Sequence, residues 1–325
     1  MRTALPLLPL LRSAPTAAPS LVAAVERGVE ASGPLPRCSD AHAAPLIRAV
    51  LGEQVAAMLE HHPLVPLVSD ALTLRTRAID RWVETWGPEL AAANFIPPTM
   101  RRQLVLIDGA WDMRAYRLGL HRATTVFEVF TSRELLNAKA SAVEQLGSRP
   151  CCPLQRVFLD GLGTDTLSEA LTEAGFNKNI PTRWVMEDTL IYSPKERVGA
   201  LLAGARAIGG APGSGVAAST IGPEWKRRLQ GAAAASTHMH DEIFSTYCDF
   251  SGLPSSSAVL DALYAAGWTR TRALGDAQLR SSTMREDWVD GLAPKPTKSH
   301  GDLKRGVERA FVGVSIVLAD TEMYP

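Results

Sequence analysis

The sequence predicts an α/β fold built on a doubly wound, mainly parallel sheet, and two observations support this prediction. Short apolar runs that end at turn residues alternate with longer helix-compatible stretches through the middle of the chain. This alternation is typical of βαβ units, in which helices cover both faces of a parallel sheet. The chain has 325 residues, of which 46% are hydrophobic, so it is long enough to form a substantial core.

The parallel strands are predicted from five short apolar runs, because strands buried on both faces read as continuous apolar segments. The runs cover residues 101–109, 124–129, 154–160, 182–187 and 215–221. Helices are predicted between them, at residues 134–146, 167–174 and 194–208. Two later apolar runs, residues 268–274 and 311–318, predict a C-terminal pair of strands that adds an antiparallel edge to the sheet.

The sequence predicts three parts along the chain: a leader, a helical cap and the domain that contains the sheet. Residues 1–25 contain no Asp or Glu and many Ala, Pro, Ser and Thr, so we interpret them as either a disordered or a targeting leader. Residues 26–98 are predicted to form an N-terminal helical cap, because Leu46, Ile47 and Val50 recur at helical spacing. Residues 99–325 then form the sheet domain, with a helical insertion at about residues 223–265.

Composition argues against several classes of protein. Lys and Arg together number 34, as do Asp and Glu, and a chain with no net charge lacks the basic excess of nucleic-acid-binding proteins. No apolar run reaches the roughly 18 residues of a transmembrane helix, so no membrane partner is expected. Cys151 and Cys152 are adjacent and no Cys-x-x-Cys is present, so we expect no metal site. The expected compartment is the cytoplasm, or an organelle if residues 1–25 are a transit peptide.

Acidic residues and glycines follow several of the predicted strands. In a doubly wound sheet the ligand lies beyond the carboxyl ends of the strands, where the strand order reverses. Carboxylates there suit a ligand that offers hydroxyls and amines, such as an adenosine with its ribose, and suit a polyphosphate poorly. The residues that this rule selects are Asp108, Gly109, Asp112, Glu128, Phe130, Asp160, Gly161, Glu187 and Asp188.

One segment gives a more specific indication. Residues 104–111, followed by Asp112-Met-Arg-Ala-Tyr-Arg-Leu118, resemble the loop after the first strand in the leucine carboxyl methyltransferase family. Four further segments match that family in the same order. They are residues 74–80, residues 126–130 with Lys139 downstream, residues 184–192 and residues 266–268. The resemblance implies a class I, Rossmann-like methyltransferase fold with S-adenosyl-L-methionine as its cofactor.

The resemblance also implies roles for individual residues. Arg75 would contact the methionine carboxylate of the cofactor, and Glu187 would lie near its amino group. Gly109 and its neighbours, Asp108 and Asp112, would line the methionine and ribose. Asp160 and Gly161 would lie near the adenine. Tyr192 would either contact the methyl acceptor or pack the joint between strand and helix.

The chain departs from the family pattern at the cofactor loop. Asp108, Ala110 and Asp188 stand where the family has glycine, and Phe130 stands where the family has the aspartate that binds the ribose. Glu128 is present in both.

Two functions remain open at this point. The first is an O-methyltransferase acting on a carboxylate of a small molecule or a protein C-terminus, and the second is a catalytically degenerate binding or scaffold protein. A nicotinamide oxidoreductase is disfavoured, because no Gly-x-Gly-x-x-Gly follows the first strand.

Overall fold

A computed structural model of the chain shows a single seven-stranded sheet between two layers of helices. It describes residues 17–33, 38, 40–62, 64–92, 101–160, 164–222, 226–227, 229–231, 252, 255–268, 270–274 and 314–320.

The strand order in the sheet is β3-β2-β1-β4-β5-β7-β6. The strands are β1 Arg102–Ile107, β2 Thr124–Phe130, β3 Leu154–Phe158, β4 Thr182–Met186, β5 Gly215–Ile221, β6 Arg270–Leu274 and β7 Val314–Asp320. Strands β1 to β5 are parallel, as the alternation of strands and helices predicts. Strand β7 lies between β5 and β6 and runs antiparallel to both.

Ten helices are described. They are α1 Ala17–Ala31, α2 Ala43–Leu51, α3 Glu53–Glu60, α4 Leu64–Ala92, α5 Arg114–Arg117, α6 Arg133–Gln145, α7 Thr164–Glu173, α8 Thr189–Tyr192, α9 Lys195–Gly209 and α10 Ser256–Ala265. None of these helices is long and apolar enough to cross a membrane. Within the described residues, no group of three His, Cys, Asp or Glu side chains is arranged to hold a metal ion.

The two faces of the sheet form separate cores. Every residue of β1 is buried, and its side chains alternate between the faces. Leu104 and Leu106 join a core that includes the cap helices and α6, whereas Val105 and Ile107 join a core that includes α7, α9 and α10. Burial on both faces explains why this strand reads as a continuous apolar run.

The boundary of the predicted leader is wrong for residues 17–25. They form the first part of α1, which packs against α2 and α4. Leu21, Val22 and Val25 are fully buried there. The absence of Asp and Glu in this stretch therefore reflects a helix whose side chains are almost all buried, for which a carboxylate would be costly. Residues 1–16 lie outside the described residues.

The predicted insertion at about residues 223–265 extends too far at its C-terminal end. Helix α10 belongs to the core beneath the sheet, where Val259, Leu260 and Leu263 are buried in the same cluster as Trp268. Residues 232–251 of the predicted insertion, including His238 and His240, lie outside the described residues.

Candidate functional site

Two sharp turns define a cleft at the carboxyl ends of β1 and β4. These strands are neighbours in the sheet, and the strand order reverses between them, so this is the position where a doubly wound sheet binds its ligand. The turn after β1 begins at Asp108, with φ of 52°, and the turn after β4 includes Asp188, with φ of 66°. Aspartate is one of the few residues other than glycine that adopts this left-handed backbone conformation with some frequency.

The space in and above the cleft, open solvent included, is about 320 Å³. Its wall combines residues of both turns with one face of α1. The lining residues are Ser20, Ala23, Arg27, Ile107, Asp108, Gly109, Trp111, Asp112, Val185, Glu187 and Asp188. Four carboxylates and one guanidinium therefore face the same small space.

Lys139 of α6 holds the turn after β1 from below. Its ammonium donates to the carbonyl oxygens of Gly109 at 3.0 Å and Asp112 at 2.5 Å. The same ammonium donates to Oε1 of Glu128 at 2.7 Å, and both side chains are buried. This three-way contact fixes the path of the backbone that lines the cleft.

A network of buried ion pairs lies behind the cleft. Glu187 is at its centre, because Oε1 accepts from Nε of Arg75 at 3.0 Å and Oε2 accepts from Nη1 of Arg114 at 2.6 Å. Arg114 also donates to Oδ2 of Asp112 at 2.5 Å and to Oδ1 of Asp80 at 2.6 Å. The network therefore connects α4 of the cap to both turns of the sheet.

Arg27 and Arg117 extend the network towards α1. Arg27 donates to Oδ2 of Asp40 at 3.0 Å and to the carbonyl oxygen of Trp111 at 2.9 Å. Arg117 donates to both carboxylate oxygens of Asp80, at 2.6 Å and 2.9 Å. The Arg27 contacts therefore join α1 to Asp40 and to the loop after β1.

The arginines keep two lining carboxylates ionised. Burial by itself raises the pKa of Asp112 and Glu187, but nearby guanidinium groups outweigh it. The Arg114 charge is the largest of these opposing effects at both residues, so each pKa lies below its ordinary value. Asp112 also accepts from the backbone N–H of Arg114, the first residue of α5, at 2.8 Å, and it faces the cleft.

The structure brings together five of the residues that the switch-point rule selects, namely Asp108, Gly109, Asp112, Glu187 and Asp188. Arg75 is buried one layer behind them and reaches the cleft through Glu187 and Asp188.

The other predicted residues lie elsewhere. Glu128 is paired with Lys139 and Arg156 and does not line the cleft. Asp160 is exposed at the end of β3, away from the lining residues, and Gly161 lies outside the described residues. Tyr192 is buried in α8 within a hydrophobic core and does not line the cleft.

Sequence reasoning missed the contribution of α1. Ser20 and Ala23 were assigned to a leader, and Arg27 was assigned to the cap without a role in the site. A signal was present, because Leu21, Val25 and Gly28 recur at helical spacing and are buried. The proline-rich start of the chain concealed this pattern.

Comparison with known proteins identifies the family. The model of the leucine carboxyl methyltransferase family matches residues 20–206, more than half of the chain. Three bacterial relatives of this chain share the name "Putative S-adenosyl-L-methionine-dependent methyltransferase". One from Mycolicibacterium vanbaalenii is 34% identical over 227 residues, which cover 65% of this chain and 69% of the relative. One from Mycolicibacterium paratuberculosis is 32% identical over 222 residues, covering 63% and 65%. One from Mycobacterium sp. strain JLS is 28% identical over 240 residues, covering 71% and 73%.

The matched segment includes most of α1, the rest of the cap and strands β1 to β4, and therefore every residue that lines the cleft. The doubly wound sheet agrees with the class I, Rossmann-like fold that the resemblance implies. The chain belongs to the leucine carboxyl methyltransferase family of S-adenosyl-L-methionine-dependent methyltransferases.

Proposed function

We propose that this chain binds S-adenosyl-L-methionine in the cleft between β1 and β4 and transfers its methyl group to a carboxylate oxygen of an acceptor. The observation that supports the proposal is the set of lining groups. Asp108, Asp112, Glu187 and Asp188 surround a cleft at the switch point of a sheet from this family.

The residues present fit the cofactor chemically. S-adenosyl-L-methionine carries two positive groups, one carboxylate and two ribose hydroxyls. The carboxylates of Asp108, Asp112 and Glu187 would hold the positive groups and accept from the hydroxyls. Arg27 is the cationic side chain among the described lining residues.

Gly109 provides space next to these groups. A Cβ at this position would come within 3.2 Å of Cβ of Leu106 and 3.3 Å of Cβ of Asp112. Glycine therefore fits a crowded point of the turn, where a Cβ would press against two neighbouring side chains.

Three of the four lining carboxylates, those of Asp112, Glu187 and Asp188, are occupied by arginine side chains and are therefore poorly suited to act as general bases. Asp112 and Glu187 have lowered pKa values and accept from Arg114. Both oxygens of Asp188 accept from Arg75. An alcohol or amine acceptor would often need a base to remove its proton. A carboxylate acceptor, with a pKa near ~4, is already ionised at neutral pH, and this favours a carboxylate as the acceptor.

The chain's contribution to the reaction is then to position the reactants. The bound cofactor supplies an electrophilic methyl group. Lys139 fixes the turn after β1 and the arginine network fixes Glu187, so the groups around the cofactor have a defined geometry. Holding the reacting atoms about 3–3.5 Å apart and in line accounts for much of the rate of such transfers. Helix α1 forms part of the wall of the cleft through Ser20, Ala23 and Arg27.

The proposed acceptor is a small carboxylic acid or the C-terminal carboxylate of a peptide. A nucleic acid partner is not proposed, because the chain has 34 Lys and Arg against 34 Asp and Glu.

The test is calorimetric titration of the full chain with S-adenosyl-L-methionine, followed by a transfer assay with radiolabelled cofactor. Binding at about micromolar Kd, or about −8 kcal/mol, is expected. Label transferred to a carboxylate is then released as methanol in alkali, whereas label on nitrogen is retained. No binding up to millimolar cofactor by a folded protein would contradict the proposal, and alkali-stable product would contradict the carboxylate acceptor.

A binding protein without transferase activity is a second candidate, supported by one observation. Asp188 stands where the family pattern has glycine, and it occupies the Arg75 guanidinium with its own carboxylate. Cofactor binding without transfer to any carboxylic acid would favour this candidate.

A further inference from the structure

Asp188 and Arg75 form a bidentate ion pair at the wall of the cleft. Nη1 of Arg75 donates to Oδ1 of Asp188 at 2.5 Å, and Nη2 donates to Oδ2 at 3.1 Å. Both side chains are only 2% exposed, so water barely reaches the pair. Two parallel N–H···O bonds are the arrangement in which a guanidinium recognises a free carboxylate most strongly.

The position of Asp188 is held independently of this ion pair. Its backbone N–H donates to Oγ of Ser219 on β5 at 2.9 Å. Its φ of 66° lies in the left-handed region, which glycine adopts readily and other residues adopt at a cost. The turn therefore keeps its shape without the aspartate side chain, which adds a carboxylate to a site where the backbone favours glycine.

Asp188 stands between Arg75 and the cleft. It belongs to the lining residues, whereas Arg75 does not. Removal of the Asp188 side chain would therefore expose the Nη1 and Nη2 groups of Arg75 to the cleft. Those two groups would then face the space in which a cofactor with its own carboxylate is proposed to bind.

We propose that the Asp188 carboxylate is an internal competitor of the cofactor carboxylate for the guanidinium of Arg75. This inference rests on the proposed function, because it assumes that the cleft binds S-adenosyl-L-methionine. Asp188 then determines how strongly the amino-acid end of the cofactor is held, and has little effect on the adenosine end. The side chain has to leave Arg75, or the cofactor carboxylate has to bind elsewhere, before the complex forms.

The test compares two ligands that differ in one part. S-adenosylhomocysteine carries the amino-acid carboxylate, and 5′-methylthioadenosine has the adenosine and the sulfur but no amino acid. The variants are Asp188→Gly and Asp188→Asn in the full chain. The first removes the carboxylate, and the second neutralises it while keeping its volume and its tolerance of positive φ. Calorimetry measures the Kd of each ligand, and circular dichroism verifies folding.

We expect both variants to bind S-adenosylhomocysteine about tenfold more tightly than the unmodified chain, since a charge-assisted hydrogen-bonded pair becomes available to the ligand. The Kd of 5′-methylthioadenosine should stay within about twofold. In the double variant Arg75→Lys with Asp188→Asn the gain should disappear, because lysine cannot form the two-pronged contact. Glu173→Gln, which removes one exposed carboxylate from α7, is the control for net charge.

Four outcomes would overturn the inference. Weaker binding of S-adenosylhomocysteine by both Asp188 variants would make Asp188 a direct ligand of the cofactor. Equal changes for both ligands would place the effect at the adenosine end. If 5′-methylthioadenosine binds and the Asp188 variants leave S-adenosylhomocysteine unaffected, only this inference fails. If neither ligand binds any of the proteins, the proposed function fails and this inference fails with it.

Discussion

Lys139 is a single residue whose contacts determine the shape of the turn that lines the cleft. Its ammonium contacts Gly109, Asp112 and Glu128 at once, and it is almost completely buried. A buried lysine is normally unfavourable, and here three acceptors offset the loss of water. Glu128, which is fully buried, depends on Lys139 and on Arg156 for its own compensation.

Replacing this lysine should therefore destabilise the fold and loosen the cleft. Lys139→Met is expected to lower the free energy of unfolding by about 3 kcal/mol, because one partner of a buried ion pair is removed and Glu128 is left undercompensated. Urea unfolding followed by circular dichroism measures this loss. The exposed Lys178 gives a matched control, and Lys178→Met should change the stability by less than about 0.5 kcal/mol. A loss below about 1 kcal/mol for Lys139→Met would show that the contact contributes little.

For individual residues, the sequence indicates which side chains lie at the strand ends, but it does not indicate which other side chains they contact. Asp108, Asp112 and Glu187 follow from the switch-point rule, which needs only the strand boundaries. Glu128 was placed in the site because it lies near the end of a strand. Its pairing with Lys139 depends on how α6 packs against the sheet, which no local pattern specifies. The contact between Asp188 and Arg75 joins residues that are 113 positions apart and was equally inaccessible.

At the scale of elements, helix α9 contains two glycines, Gly199 and Gly209, that differ in their effect on stability. Gly209 ends the helix against the indole of Trp184, and a Cβ there would lie 2.5 Å from Cζ2. Gly199 is exposed near the start of the same helix, and a Cβ there would meet nothing within 4 Å. The first glycine is required by packing, and the second only adds flexibility to the unfolded chain.

The two glycines should respond to alanine in opposite directions. Gly209→Ala is expected to lower the free energy of unfolding by about 1–3 kcal/mol, because the new methyl group overpacks the core against a buried ring. Gly199→Ala is expected to raise it by roughly 0.5–1 kcal/mol, the usual gain for alanine inside a helix. Thermal and urea unfolding of the two variants measure both effects. The same sign for both substitutions would contradict this assignment.

The elements also show which parts of the fold the sequence could predict. The predicted limits of β1, β2 and β5 agree with the structure to within about two residues, because each strand is buried on both faces and reads as an apolar run. The first part of helix α1, residues 17–25, was assigned to the leader because this stretch contains no Asp or Glu and so has the composition of a leader. The position of β7 between β5 and β6 was not predicted, since it depends on contacts between strands far apart in the sequence.

At the scale of the whole molecule, buried charges join the cap to the sheet. Arg27, Arg75, Arg114 and Arg117 pair with carboxylates from α4, from both turns of the cleft and from Asp40. Each pair is dehydrated, so removing one partner costs more than the pair contributes to stability. The network is better understood as a means of fixing the cap in one orientation over the cleft.

Glu26 is a buried carboxylate of the cap whose environment differs from that of the network. It lies on α1, and its Oε1 accepts from the hydroxyls of Ser69 at 3.1 Å and Thr73 at 2.5 Å. Its Oε2 has no hydrogen-bond partner among the described residues. Burial raises the pKa of Glu26 to about 7, because it outweighs the two hydrogen bonds and the charge of Arg27, while Glu30 raises the pKa slightly further.

This carboxyl group should make the stability of the molecule depend on pH. The folded state, with a pKa of about 7, binds the proton more tightly than the unfolded state, whose value is 4.5. The contribution of Glu26 is therefore greatest below pH 4.5 and is lost as the pH rises through 7. Glu26→Gln has no ionisation to lose. At each pH, the free energy of unfolding of the unmodified chain is subtracted from that of the variant. This difference should be larger at about pH 8 than at about pH 5 by roughly 2–3 kcal/mol.

Urea unfolding of both proteins at the two pH values gives this difference. Comparing the variant with the unmodified chain cancels the other titrating groups, which are present in both. Glu144→Gln is the matched control, because Glu144 is exposed on α6 and its replacement should give the same difference at both pH values. A difference between Glu26→Gln and the unmodified chain that does not change with pH would mean that Glu26 ionises normally in the fold. The hydroxyls of Ser69 and Thr73 would then stabilise a charged carboxylate between α1 and α4.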